Sequence, residues 1–208
     1  MNPRVSSCCA ALLVLATACR AEPPQKTPSA QESEPVKTVH VVLRTDKGEI
    51  ELELDEAHAP NTVHNFLGYV DAGLFTGGVF HRTVTPDNQP QSPVKIEVIQ
   101  GGTHPSRASS LRPPIALERT SVTGLKHREG TVSMARSTPD SALSDFFICI
   151  GDQPELDFGG QRNPDGQGFA AFGRVVRGMD VVRAIHASPA EGQRLTPPIQ
   201  IQTASRVK

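Results

Sequence analysis

Residues 39–54 read Val-His-Val-Val-Leu-Arg-Thr-Asp-Lys-Gly-Glu-Ile-Glu-Leu-Glu-Leu, and their pattern sets the fold class. Val39, Val41 and Leu43 alternate with polar or smaller partners. Beyond Asp46-Lys47-Gly48, Ile50, Leu52 and Leu54 alternate with Glu49, Glu51 and Glu53. A period of two sends alternate side chains to opposite faces, so the stretch predicts a β-hairpin with one dry and one wet face.

Outward from this hairpin, Asn61 or Thr62 is placed to cap a helix whose apolar residues Val63, Phe66, Leu67 and Val70 follow the i, i+3, i+4, i+7 stripe, and Gly73 is placed to end it. Short strand-like runs follow at Val79-Phe80, Val94 to Gln100, Thr131 to Ala135, Phe146 to Ile150, Phe169 to Val176 and Ile199 to Thr203. Segments rich in Gly, Pro, Asp and Ser separate them, and a second helix is predicted from Met179 through Ile185. Many short strands with two helices point to a mainly β barrel or sandwich rather than alternating β-α-β units.

The opposite direction leads to a different kind of sequence. Arg4 precedes an apolar or small run from Cys8 to Ala18, and Ala16-Thr17-Ala18 stands just before Cys19, so residues 1–18 read as an export signal. The run is about half the roughly 20 residues needed to span a bilayer. Two processing routes fit: simple cleavage at the Ala-x-Ala site, or cleavage with lipidation of Cys19 and membrane attachment through that lipid. Residues 19–38, with Pro23, Pro24, Pro28 and Pro35 among polar side chains, read as a tether, which leaves 39–208 as the folded domain. The destination is the periplasm or cell envelope.

Bulk properties exclude several functions. Basic and acidic residues number 21 and 22, so there is no one-sided positive field for nucleic acid. The seven histidines lack the spacing and company of a metal site. The Gly, Asp and Asn cluster from Gly151 to Gly168 reads as a solvated loop rather than a calcium loop. Cys8 and Cys9 leave with the signal, so no disulfide framework is expected, and Cys149 in its apolar run reads as a small buried hydrophobe.

Five ordered strings remain: Phe80-His81-Arg82, Ile99-Gln100-Gly101-Gly102, Val132-Ser133-Met134-Ala135-Arg136, Phe146-Phe147-Ile148 and Phe172-Gly173-Arg174-Val175. Together with Ala59-Pro60-Asn61-Thr62-Val63-His64-Asn65-Phe66 they resemble the cyclophilin family, most of all its short periplasmic bacterial members. The resemblance implies a closed eight-stranded antiparallel barrel capped by two α-helices, with a shallow peptide groove on its outer wall. It implies a monomeric peptidyl-prolyl cis-trans isomerase that needs no cofactor and acts on proline-containing polypeptides. Arg82, Gln100 and Phe147 match the catalytic set, and His81, Val98, Ala135, Arg136, Leu156 and Phe169 match substrate-binding positions. The physical task fits an arginine: rotation is slow because amide resonance imposes a barrier of about 18 to 20 kcal/mol, and a donor aimed at the prolyl nitrogen weakens that resonance.

The sequence also departs from the family pattern. Seventeen residues, Thr83 to Ile99, stand where a short turn is usual, and the apolar pair before the glutamine is Glu97-Val98, so an aromatic pocket wall is expected to be missing. Asp145 replaces a common glutamine, Glu155 a frequent tryptophan and Phe169 a frequent histidine. These changes keep a second reading open, a cyclophilin-like module that binds proline-containing segments without turning them over.

Overall fold

The computed structural model describes residues 38–207. The segments read as an export signal and, for nearly all its length, a tether, with Cys19 between them, lie outside the described residues; Thr38 already belongs to the first strand.

β1 (Thr38–Thr45) and β2 (Gly48–Asp55) pair in unbroken antiparallel register, from Thr38 opposite Asp55 to Thr45 opposite Gly48. Val41, Leu43, Ile50, Leu52 and Leu54 are fully buried. On the wet face Glu49, Glu51 and Glu53 pair with Arg44, Arg177 and Arg174 at 2.9, 2.8 and 2.8 Å. The other strands are β3 (Val79–Val84), β4 (Val98–Gly102), β5 (Thr131–Met134), β6 (Phe146–Cys149), β7 (Ala170–Arg177), the two-residue β8 (Ala190–Glu191) and β9 (Arg194–Arg206). Antiparallel pairing runs β1-β2-β7-β5-β6-β4-β3-β9, and β9 returns to β1 with Leu43 opposite Ala204. Eight strands therefore close into a barrel, which decides between the two β architectures that periodicity left open.

Several boundaries differ from those expected. β4 begins at Val98 rather than Val94, because Gln89 takes the backbone of Ile96 that a neighbouring strand would otherwise bond: its Nε2 donates to Ile96 O at 2.7 Å. β9 begins at Arg194, five residues before its apolar pattern does.

The first helix, α1 (Pro60–Asp71), starts ahead of both expected caps, with Pro60 at its first position and no side-chain cap from within the helix. Its free N–H groups are instead met by Glu118, whose carboxylate accepts from the backbone of Asn61 at 3.1 Å and of Thr62 at 2.8 Å, and from the Thr62 hydroxyl at 2.6 Å. A carboxylate there also complements the positive end of the helix. At the other end Gly73 adopts φ +65°, its N–H bonding Val70 O while Leu74 N–H reaches back to Tyr69 O, the Schellman arrangement that favours glycine. Val63, Phe66, Leu67 and Val70 lie in the barrel core. A single turn, α2 (Thr120–Thr123), follows, and then α3 (Met179–His186), which sinks Val182 and Ile185 into that core against β2, β3 and β4. A mesh of phenylalanines fills the centre, Phe66 lying 5.0 to 5.4 Å from Phe75, Phe146 and Phe172.

Candidate active site

β6 has no alternation, because both of its faces are covered. Phe146 and Ile148 point into the barrel, whereas Phe147 and Cys149 join a second buried cluster with Val84, Ile96, Val98, Leu156 and Phe169. Strand β4 splits the same way, Ile99 inward and Val98 outward. Gly101 must lack a side chain here: a Cβ would stand 2.8 Å from the Phe80 ring and 2.9 Å from Val79 O.

A bulge sets the polar side of this outer cluster. Phe80 is fully buried in the barrel, so strict alternation would send Arg82 in as well. Pairing to β4 and to β9 instead slips between Phe80 and Arg82, leaving His81 as the extra residue. The slip reverses the parity, so that Arg82 and Val84 face outward, a typical use of a bulge beside a site.

Arg82 is then clamped. Its Nη1 donates to Gln100 Oε1 at 2.8 Å, and its Nε and Nη2 donate to Gln193 Oε1 at 2.9 and 2.6 Å. Three of the five N–H groups of the guanidinium are engaged in this way, which leaves two. Burial, and to a smaller degree the charge of Arg162, pulls its pKa below the ordinary arginine value; the group remains a cation at neutral pH. Because Gln100 accepts through Oε1, its Nε2 is the outward donor, and it reaches Asp145 Oδ2 at 3.2 Å. Arg82, Gln100, Val98, Ala135, Arg136, Phe147, Leu156 and Phe169 together line one cavity of about 240 Å³, with Ile96, Arg162 and Asn163 completing it. Its apolar floor is Phe147, held edge-on by Phe169 at 5.3 Å.

Residues 40–206 match the sequence model of the family described as cyclophilin type peptidyl-prolyl cis-trans isomerase/CLD. The chain belongs to the cyclophilins. It is 38% identical over 181 residues to peptidyl-prolyl cis-trans isomerase A of Dickeya dadantii, covering 82% of this chain and 86% of that one. It is 41% identical over 148 residues to the isomerase cyp18 of Streptomyces antibioticus, covering 70% and 81%. A solved cyclophilin of Cryptosporidium parvum superposes with a TM-score of 0.66 at 21% identity, over 83% of this chain and 99% of that one, and that protein has also been solved in the presence of the dipeptide Ala-Pro. The cyclophilin is thus a peptidyl-prolyl cis-trans isomerase.

Some expected residues of this cyclophilin sit differently from what their motifs suggest. His81 does not enter the cavity that holds Arg82; it lines a neighbouring groove, with Nε2 3.6 Å from Asp145. Arg136 lines the cavity, but its guanidinium is bound to the wall: it donates to Gly168 O, forks onto Asp165 at 2.7 and 2.9 Å and lies over the Phe169 ring. The fork from Arg136, helped by the Gln167 backbone N–H, holds the pKa of the Asp165 carboxyl down to about 2. The wall expected to be missing is supplied by Ile96, 6% exposed, and by Phe169. Nor is the stretch from Gly151 to Gly168 uniformly solvated, since the 3-10 turn Pro154–Leu156 drives Leu156 into the pocket. Cys149 is buried beneath, and burial pushes its thiol far up.

Sequence reading missed what supports the floor. The His127 ring, fully buried, stacks on Phe147 at 5.9 Å and 18°. Its Nδ1 bonds Asp157 at 2.8 Å and its Nε2 bonds the Ser133 hydroxyl at 2.9 Å. Burial pulls the His127 pKa below the ordinary histidine value, so the ring is neutral, with Nδ1–H donating to Asp157 and Nε2 accepting from Ser133. Only the Ser133 string and the isolated His127 were visible in the sequence, with nothing to pair them. A larger cleft of about 630 Å³ lies elsewhere, between β2, β7 and residues 125–131; its walls carry Glu53, Lys126 and Arg174 and no aromatic ring.

Proposed function

We propose that the bond before proline turns in the outer-wall cavity, with Arg82, Gln100 and Phe147 as its working set. The observation that carries this is the outward, clamped Arg82 at the lip of an apolar floor. As the bond twists, the prolyl nitrogen loses resonance, pyramidalises and gains a lone pair, which the two remaining N–H groups of Arg82 can meet. Phe147, Leu156, Val98 and Phe169 offer the ring an apolar seat. Gln100 Nε2 can leave Asp145 for the carbonyl before the proline, and Ala135 supplies backbone beside it. All of these residues come from one chain, which supports a monomer as the working unit. A structural relative solved in the presence of Ala-Pro favours proline-containing peptide segments as ligands.

One hydrogen bond to a charged group contributes about 1.5 to 3 kcal/mol net, so Arg82→Ala should lower kcat/KM for an Ala-Pro peptide about ten- to a hundredfold. Arg82→Lys should recover little, since a single ammonium lacks the fork that spans Gln100 and Gln193. Undiminished turnover by Arg82→Ala would contradict the assignment.

The clients we propose are exported polypeptides, folded in the cell envelope. Support comes from the leader at residues 1–18 and the Pro-rich segment that separates it from the barrel. Intact-mass spectrometry of the protein recovered from cells checks this. A chain beginning at Cys19, with or without the added mass of a lipid, is expected, and a chain retaining residues 1–18 would count against export.

A further inference from the structure

Gln193 belongs to no motif and lies 111 residues from Arg82, yet it makes two of the three side-chain bonds that orient the guanidinium. It sits in the two-residue turn between β8 and β9, after Gly192 at φ +61°. The turn is seated independently of the Gln193 side chain: Thr83 N–H donates to Gln193 O at 2.9 Å, and Asn88 Nδ2 donates to Gly192 O at 3.1 Å. The carboxamide is fixed in orientation as well. Its Nε2 donates to Asn88 O at 3.0 Å, which leaves Oε1 facing Arg82. Asn88 in turn lies in the inserted loop, within its 3-10 turn Pro86–Asn88, and is tied to Thr83 O and to the backbone N–H of Thr85.

We infer that Gln193 is a positioning residue for catalysis, holding the Arg82 guanidinium in the plane that faces the prolyl nitrogen, and that the inserted loop serves the site by fixing the Gln193 amide through Asn88. Three hydrogen bonds lead in two steps from the loop to the catalytic cation: Gln193 Nε2 donates to Asn88 O, and Nε and Nη2 of Arg82 both donate to Gln193 Oε1. An arginine side chain has several rotatable bonds, and one anchor at Gln100 leaves it free to swing; a second anchor across Nε and Nη2 removes that freedom. Pre-oriented donors act in the transition state without a reorganisation cost, so the loss should appear in kcat more than in KM.

The inference rests on Arg82 being the group that acts on the prolyl nitrogen, and a double-mutant cycle separates the two claims. The purified full chain is assayed as wild type, Gln193→Met, Arg82→Ala and the double variant, on an Ala-Pro peptide. Gln193→Met, of similar size and without the acceptor, should lower kcat about tenfold with KM nearly unchanged and the thermal midpoint preserved. Adding it to Arg82→Ala should change the rate less than twofold, because the residue then has nothing left to position. A slow-exchanging Arg82 Nε–H signal in the NMR spectrum should be lost in Gln193→Met. Should that variant fold poorly, Gln193→Ser, too short to reach Arg82, is expected to give the same losses. Wild-type kcat in a folded Gln193 variant, or a further tenfold loss in the Arg82→Ala background, overturns the inference. Full activity of Arg82→Ala itself would instead overturn the role of Arg82.

Discussion

A single extra residue, His81, decides what the outer wall can do. Without the slip between Phe80 and Arg82 the guanidinium would point into a barrel packed with phenylalanine, where an unpaired charge is prohibitively costly. Once turned outward, it meets Gln100 on one side and Gln193 on the other. Beneath the pocket, His127 carries a separate consequence for pH. Its folded pKa lies below the unfolded value near 6.5, so its contribution to stability is present in full above about pH 6.5 and declines as pH falls below that, toward the lower folded value. The groups facing it are Asp157, Ser133 and the neighbouring Lys126. Chemical denaturation from pH 7.5 to 5 should show wild type losing up to about 1.4 kcal/mol per pH unit more than His127→Gln does. Identical slopes would show that the ring titrates alike in both states.

At the scale of elements, the strands and helices whose side chains alternate or recur were legible, and those held by distant partners were not. Val39 to Leu54 folds as its pattern indicates because each face has a single solvent. The stripe on α1 and the glycine that ends it are local signals as well. The start of α1 is not, since its cap is a carboxylate 56 residues downstream from Thr62. The bulge in β3 leaves no trace in hydrophobic period, and the start of β9 lies among Arg194, Thr196, Pro197 and Pro198, which carry no strand pattern. The same division runs through the site. Ordered motifs brought in Arg82, Gln100 and Phe147, and the family resemblance they carry added Leu156. Gln193, Ile96, Arg162 and the His127–Asp157–Ser133 set could be joined only by the closed barrel, which brings β6, the β8–β9 turn and the inserted loop to one place. That loop is no loose addition: Arg162 Nη1 bonds Gln89, Ser92 and Val94 within it, at 2.8, 2.6 and 2.7 Å.

At the scale of the molecule, closure gives the barrel two apolar compartments with different duties. The inner one holds Phe66, Phe80, Phe146 and Phe172 and supplies the burial that stabilises the fold; the smaller outer one stays partly open and is the seat we propose for the proline ring. We place isomerisation in this smaller compartment and not in the larger, charge-lined cleft between β2 and β7. Nuclear magnetic resonance of the isotope-labelled protein, titrated with an Ala-Pro peptide undergoing cis/trans exchange, tests this most directly. Exchange cross-peaks of the peptide should appear with catalytic amounts of protein, and saturating peptide should shift the signals of Arg82, Gln100, Ala135, Phe147, Leu156 and Phe169. Shifts gathered instead at Glu53, Lys126, Thr131 and Arg174 would contradict it.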